Sequence, residues 1–238
     1  MFFKSLIEET IEFQNRDGIN PLTIGFFVAI IVLIIQAWGL LDQNRKISKQ
    51  TTEKLLPIYF FVCQFFYFTG YVLYGFDLRS ATIMISNISG LFMLLIIINL
   101  IKHKRINIRQ EINKNKREIM KKQFKQDLLV SSLLTAALLA VMIFIKDKDA
   151  LIIVLLGFVI ISIIPLAIGI FRAKNFKIIG VNYLLAFIFS SVAWIVYGLI
   201  VSLRWNLQVR GLIISSLATL AVATVLLILR LKFNRKNP

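Results

Sequence analysis

The chain has little of the chemistry on which most enzymes depend. Its 238 residues include one cysteine, one histidine and four prolines. Cys63 excludes an internal disulfide and lies in an apolar stretch, where a small hydrophobic core residue is the simpler interpretation. His103 lies in a basic segment and cannot be assembled into a zinc site or a Ser-His-Asp triad. The sequence also offers no glycine-rich phosphate-binding loop. We therefore expect no enzyme, no metal and no cofactor.

Acidic residues are also scarce. Twelve Asp and Glu stand against 28 Lys and Arg, for a net charge of +16, and 58% of the residues are hydrophobic. A soluble basic protein would mix its charges with its apolar residues, whereas here they fall in short segments between long apolar blocks. This segregation is typical of an integral membrane protein, so we expect a lipid bilayer as partner and no nucleic acid.

Seven apolar runs predict seven transmembrane helices. About 20 residues at 1.5 Å per residue cross a hydrocarbon core of about 30 Å. The runs lie near 21–41, 56–76, 81–101, 128–145, 151–171, 178–201 and 211–229. Of the 28 Lys and Arg residues, 21 fall on one side of these helices. Because positive residues are retained on the cytoplasmic side, the bias predicts the N-terminus outside and the C-terminus inside.

Two short strings indicate an internal repeat. "GYVLYG" occupies 70–75 and "AWIVYG" occupies 193–198. Their alignment pairs Tyr71 with Trp194, Tyr74 with Tyr197, Gly75 with Gly198, Asn87 with Ser216, and Ile35–Gln36 with Pro165–Leu166. The offset between the copies changes only in predicted loops, where insertions are tolerated.

The repeat predicts an all-α membrane fold of two parallel three-helix units joined by a linker helix (3+1+3). Because three helices are an odd number, one additional helix is needed to give both units the same direction across the membrane. The segments are an extracytoplasmic N-terminal segment (1–20), a first unit (21–101), a basic cytoplasmic loop (102–127), the linker helix (128–145) and a second unit (151–232). The basic loop is interpreted as a solvated loop or helix extension beside anionic headgroups.

This layout, with aromatic-x-x-Tyr-Gly followed by Asn about a dozen residues later, resembles the SWEET and SemiSWEET sugar carriers of the PQ-loop superfamily. The resemblance covers most of the chain, although the Pro-Gln pair is split here between Gln36 and Pro165. It implies facilitated transport of a small neutral solute, most readily a mono- or disaccharide, by alternating access in the bacterial cytoplasmic (inner) membrane. The sequence leaves open whether the carrier is a homo-oligomer.

Four side chains are predicted to bind the solute: Asn87, Trp194, Tyr71 and Ser216. Counting residues from the helix ends places all four in one layer, slightly outside the bilayer midplane. An amide both donates and accepts hydrogen bonds, and a flat aromatic ring suits the C–H face of a sugar. The alternative is that the same side chains only hold the helices together.

Pro165 and Gln36 are predicted at a hinge or gate, since an interior proline removes one helical hydrogen bond and kinks the helix. A static kink is the equal alternative. Because no ionisable residue lies deep in any predicted span, we expect uncoupled transport. Two other functions stay open: a PQ-loop-type carrier of amino acids or other small metabolites, and a non-transporting seven-helix receptor.

Overall fold

The computed structural model describes residues 10–11, 21–49, 56–173, 179–205 and 209–234, and of residues 21, 165–173, 204–205 and 233–234 it describes only the backbone. Within these ranges the chain is almost wholly helical. The helices are α1 (Pro21–Ser48), α2 (Ile58–Asp77), α3 (Ala81–Asn87), α4 (Leu91–Gln110), α5 (Lys114–Phe144), α6 (Lys148–Ala173), α7 (Val181–Trp205) and α8 (Arg210–Asn234). One turn of 3-10 helix (Ile88–Gly90) joins α3 to α4.

Six apolar segments among the described residues are long enough to cross a membrane: α1, α2, α3 with α4, α5, α7 and α8. The length and composition of these segments mark the chain as an integral membrane protein. The exposed side chains are consistent with this class, because Leu129, Leu133 and Ile143 on α5 are 61%, 64% and 73% exposed. Such a surface is costly in water and fits a lipid environment. The all-α membrane class predicted from the sequence is therefore confirmed.

The helices form a bundle in which each half has one segment that contacts the other two. In the first half, α3 and α4 contact both α1 and α2; in the second half, α8 contacts both α6 and α7. The halves meet through α1 against α7 and α2 against α6. Helix α5 lies at the periphery of the bundle and packs on α2. In the most apolar stretch of each helix, 11% of the residues of α5 are buried, compared with 72% of those of α2. We call the end of the bundle where α1 begins the upper end and the opposite end the lower end.

Two glycines allow close helix packing at equivalent points of the two halves. A Cβ on Gly75 of α2 would lie 2.9 Å from the Met84 backbone nitrogen on α3. A Cβ on Gly198 of α7 would lie 2.8 Å from Cγ1 of Ile213 on α8. Side chains at these glycines would hold the paired helices apart, so the Tyr-Gly strings serve the same packing purpose twice.

The third transmembrane segment is broken at 88–90 because its own polar side chains compete with the helical hydrogen bonds. Ser86 Oγ donates to the Thr82 carbonyl at 3.0 Å, and Asn87 Nδ2 donates to the Ile83 carbonyl at 2.8 Å. Gly90 permits close approach to α2, since a Cβ there would lie 2.5 Å from Cβ of Phe68. The break lies in the middle of the bundle, beside Asn87.

The basic segment 102–127 is mostly helix. Helix α4 continues to Gln110 and α5 begins at Lys114, so only three residues turn between them. Asn113 caps α5 by accepting from the Lys116 backbone N–H at 3.2 Å. Of the two forms expected for this segment, the helix extension is the observed one. Along it, the hydrogen bond from Lys121 lowers the pKa of the Glu118 carboxyl.

One carboxylate fastens the lower end of α2. The backbone N–H of Ile58 donates to both oxygens of Asp127 on α5, at 2.9 and 3.1 Å. Pro57, just before α2, has extended backbone dihedral angles and offers no side-chain cap, so Asp127 supplies the cap from 69 residues away. Lys104 of α4 also pairs with Asp127, which ties three helices together.

Candidate functional site

The residues predicted to bind solute line one cavity in the middle of the bundle. This central cavity has a volume of about 30 Å³. Its walls come from α1, α2, α3, α7 and α8, and thus from both halves of the chain. The lining residues are Gln36, Tyr67, Phe68, Tyr71, Asn87, Phe187, Ser190, Ser191, Trp194, Ser216 and Thr219. None of them carries a charge.

Asn87 holds its amide in a fixed orientation. Its Nδ2 donates to the Ile83 carbonyl at 2.8 Å and to Ser86 Oγ at 3.2 Å. Its Oδ1 accepts no hydrogen bond from the described residues, and the side chain is 3% exposed. Asn87 therefore presents a buried, oriented acceptor on the wall of the central cavity.

Gln36 and Trp194 complement this acceptor with donors. Gln36 Oε1 accepts from Ser89 Oγ at 2.6 Å, which leaves Gln36 Nε2 without a partner among the described residues. The indole N–H of Trp194 likewise has no partner in the described part of the chain. Both residues are buried and line the central cavity. The cavity thus combines two free donors, a free acceptor and aromatic rings, a set suited to a neutral hydroxyl-bearing molecule.

Tyr71 and the region around Ser216 join the two halves through hydroxyl groups. The Tyr71 hydroxyl hydrogen-bonds Ser215 Oγ on α8. The Tyr67 hydroxyl lies 3.3 Å from the Tyr71 hydroxyl. Tyr67 also reaches Thr219 Oγ1 on α8 at 3.4 Å. These groups satisfy one another, so Tyr71 has a binding partner within the protein as well as a place on the cavity wall.

Gln36 and Pro165 were predicted at a gate or hinge. Gln36 lies on the cavity wall beside the break in the third segment, bonded to Ser89. The backbone of α6 stays helical past position 165 to Ala173, and the Pro165 side chain lies outside the described residues. The hinge role remains a prediction.

Hydrogen bonds bridge the upper end of the bundle above the cavity. The Tyr74 hydroxyl donates to Asp149 Oδ1 at 2.8 Å, and the Gly211 backbone N–H donates to the same oxygen at 2.9 Å. We call this group of three residues the upper latch; it joins α2, α6 and α8. Beside it, the Tyr197 hydroxyl and Ser80 Oγ are 2.8 Å apart. The two tyrosines of the repeated strings thus each reach across to the other half of the chain.

The lower end is also bridged. Gln43 Oε1 on α1 accepts from the Gly180 backbone N–H at 2.7 Å. Deeper inside, the Tyr183 hydroxyl on α7 donates to Gln64 Oε1 on α2. Hydrogen bonds therefore join the two halves both above and below the central cavity.

A larger groove lies between α1 and α7 and is less suited to a polar solute. It measures about 120 Å³, and its walls are almost entirely apolar. Ile24 and Val196 on these walls are 52% and 50% exposed, so the groove opens onto the apolar surface of the bundle. Lipid chains would fill such a groove, and the central cavity is therefore the better candidate site.

Several polar residues of the site were not predicted from the sequence, namely Tyr67, Ser190, Ser191, Thr219 and Asp149. The helical spacing contains a signal for some of them. Tyr67 precedes Tyr71 by four residues and Ser190 precedes Trp194 by four, and residues four apart share a helix face. In the described residues, no cluster of three or more His, Cys, Asp or Glu side chains could hold a metal.

Comparisons of the chain with models of protein families, with curated proteins and with solved structures found no match.

Proposed function

We propose that this chain is a facilitative membrane carrier of a small neutral solute, with mono- and disaccharides as the first candidates. The observation that carries the proposal is the central cavity: it is buried, uncharged, built from both halves, and lined by Asn87, Trp194, Tyr71 and Ser216. Its free hydrogen-bonding groups match hydroxyls, which both donate and accept. This is the function that the resemblance to the SWEET and SemiSWEET carriers implies.

The helix contacts support a carrier built from two equivalent three-helix units. Helices α1, α2 and α3–α4 would form one unit, and α6, α7 and α8 the other, with α5 as the linker. In each unit the third segment contacts the other two, and the cross-contacts α1–α7 and α2–α6 exchange under a two-fold rotation. Parallel repeats of this kind are related by an axis along the membrane normal. The upper end would face outside, because most Lys and Arg lie at the lower end.

Alternating access is the mechanism that this arrangement favours. A space of about 30 Å³ holds only a few waters, whereas ligand pockets usually measure about 300 Å³ or more. A sugar could therefore enter only if one end of the bundle opened. Each end has hydrogen bonds between the two units, such as Tyr74 to Asp149 above and Gln43 to Gly180 below, so rocking of one unit against the other would break one set while keeping the other.

The lining of the cavity supports uncoupled transport. Carriers driven by protons or ions place ionisable side chains along the pathway. The lining residues of the central cavity are all described, and none is acidic or basic. A zwitterionic amino acid would lack charged partners there, so a neutral solute is favoured.

Solute counterflow in proteoliposomes tests the proposal. The panel would contain sugars, neutral polyols and amino acids, measured with and without a pH or sodium gradient. We expect exchange of a sugar without any gradient. Asn87→Ala and Trp194→Ala should each reduce exchange at least tenfold, since each removes a polar or aromatic contact inside a closed site.

Two matched variants serve as controls. Trp38→Ala removes a tryptophan that is 58% exposed on α1, and Asn99→Ala removes an amide that bonds Asn44 outside the cavity. Both should keep exchange within about twofold of wild type, since neither residue reaches the cavity. Exchange of amino acids alone would overturn the solute class, and wild-type rates in Asn87→Ala and Trp194→Ala would overturn the site.

A further inference from the structure

A second cavity lies directly below the central one. This lower cavity has a volume of about 50 Å³ and is lined by residues of α2, α6, α7 and α8. Tyr67, Phe187 and Thr219 line both cavities, so these three side chains separate them. The contact of 3.4 Å between the Tyr67 and Thr219 hydroxyls spans this partition. The two cavities therefore lie in series along one path.

The lower cavity is mostly apolar, but it contains one polar pair that the packing does not fully satisfy. Gln64 and Tyr183 are 5% and 4% exposed. The Tyr183 hydroxyl donates to Gln64 Oε1, and Gln64 Nε2 has no hydrogen-bond partner among the described residues. Gln64 lines the lower cavity, and this amide N–H is a donor not engaged by the described residues.

We propose that the lower cavity is a second binding station for the transported solute. Gln64 Nε2 would donate to a solute oxygen, and the Tyr183 oxygen, whose own hydrogen is engaged by Gln64, would accept from a solute hydroxyl. Phe60 and Phe187 supply ring faces for the C–H surface of the same molecule. The inference rests on the proposed function and adds a second place at which the solute pauses.

The chemistry of the two stations is alike, which is what stepwise movement requires. The central cavity offers Gln36 Nε2 as donor and Asn87 Oδ1 as acceptor beside Trp194. The lower cavity offers Gln64 Nε2 as donor and the Tyr183 oxygen as acceptor. A solute that leaves one set of partners meets an equivalent set about two to three helical turns further on, since Gln64 lies seven residues from Tyr71 and Tyr183 eleven residues from Trp194, once Tyr67 and Thr219 separate.

Cysteine protection tests the second station apart from transport. Because Cys63 is the only cysteine, Cys63→Ser gives a cysteine-free background. Ala223→Cys then reports on the lower cavity and Ser191→Cys on the central cavity. Each reporter is labelled with N-ethylmaleimide at increasing concentrations of glucose and, separately, of sucrose. We expect at least one of the two sugars to protect both positions.

Substitutions in the lower cavity should change the sugar protection of the two reporters by different amounts. Gln64→Leu, which keeps the volume and removes the amide, should raise the sugar concentration for half-protection at position 223 about tenfold. At position 191 the same variant should change it less than twofold. Tyr183→Phe, which keeps the ring, should give about a threefold change at position 223. Tyr59→Phe, a half-buried tyrosine outside the cavity, is the matched control.

The outcomes distinguish the two proposals. Protection at position 191 alone would leave the carrier standing and overturn the second station. Protection at position 223 that is indifferent to both Gln64→Leu and Tyr183→Phe would also overturn it. Protection at neither position by either sugar would overturn the second station together with the sugar class of the proposed function.

Discussion

The upper latch provides the sharpest test of how the closed conformation is held. Asp149 Oδ1 accepts from the Tyr74 hydroxyl at 2.8 Å and from the Gly211 backbone N–H at 2.9 Å. Asp149→Ala removes both bonds at once. A hydrogen bond to a charged group is worth about 1.5–3 kcal/mol, and this half-buried carboxylate belongs at the lower limit. Only the Tyr74 bond joins the two units, since Asp149 and Gly211 both belong to the second one, and its loss of about 1.5 kcal/mol shifts the equilibrium toward an open upper end about tenfold.

Labelling of a cavity cysteine measures that shift. Ser190→Cys, in the Cys63→Ser background, places a reporter on the wall of the central cavity. A membrane-impermeant thiol reagent is added from the side of the upper end, and the labelling rate follows the open population. We expect a rise of about tenfold in both Asp149→Ala and Tyr74→Phe, since each removes the Tyr74–Asp149 bond between the units. Asp149→Asn keeps an acceptor oxygen, so its labelling rate should rise only a few-fold.

Asp147→Ala is the control for lost charge. Asp147 accepts from the Asp149 backbone N–H at 2.9 Å and so belongs to the start of α6, outside the upper latch. Its removal costs a helix cap of about 1 kcal/mol and should leave the labelling rate within twofold. The reasoning is refuted if Asp149→Ala labels at the wild-type rate, or if Asp147→Ala labels as fast as Asp149→Ala.

Two further predictions concern stability and packing. Asp127→Ala removes the cap of Ile58 and the counter-charge of Lys104. The side chains of Asp127 and Lys104 are each about 10% exposed in their ion pair. The substitution should therefore lower the free energy of unfolding by about 3 kcal/mol, measured by thermal unfolding in detergent. Gly39→Ala would place a Cβ 2.7 Å from a side-chain carbon of α7 and should cost about 1–3 kcal/mol by the same measurement, whereas Gly157→Ala, with no atom within 4 Å, should be neutral or slightly stabilising.

Six of the seven predicted transmembrane segments correspond to apolar helices of sufficient length among the described residues, because the bilayer imposes a length on apolar helices. The true ends of α4 and α5 could not be predicted in this way, because hydropathy detects burial in lipid and not helicity. The stretch 114–126 contains five Lys and two Gln, which favour helix outside the membrane as well. The break at 88–90 has no proline to announce it, and it follows from Ser and Asn side chains that bond their own backbone.

The depth of the site residues could be predicted, whereas the facing of the helices could not. Asn87 and Trp194 share a cavity because helical rise fixes depth once the helix ends are known. Which face points inward is not encoded when all faces of a helix are apolar. Gln64 and Tyr183 were missed for this reason. Asp149 was missed because its partner at position 211 is 62 residues away and no local spacing connects them.

The two tyrosines of the repeated strings make a prediction that follows from the duplication itself. Tyr74 bonds Asp149 on the second half, and Tyr197 bonds Ser80 on the first half at 2.8 Å. The Tyr197 bond is neutral and worth about 1 kcal/mol, so Tyr197→Phe should raise labelling of position 190 from the upper side about fivefold. Because the two bonds use different acceptor and donor groups, the double variant Tyr74→Phe with Tyr197→Phe should show the product of the two effects, about 50-fold. If Tyr197→Phe labels like the wild type while Tyr74→Phe does not, only one unit holds the upper end closed and the equivalence of the two halves fails.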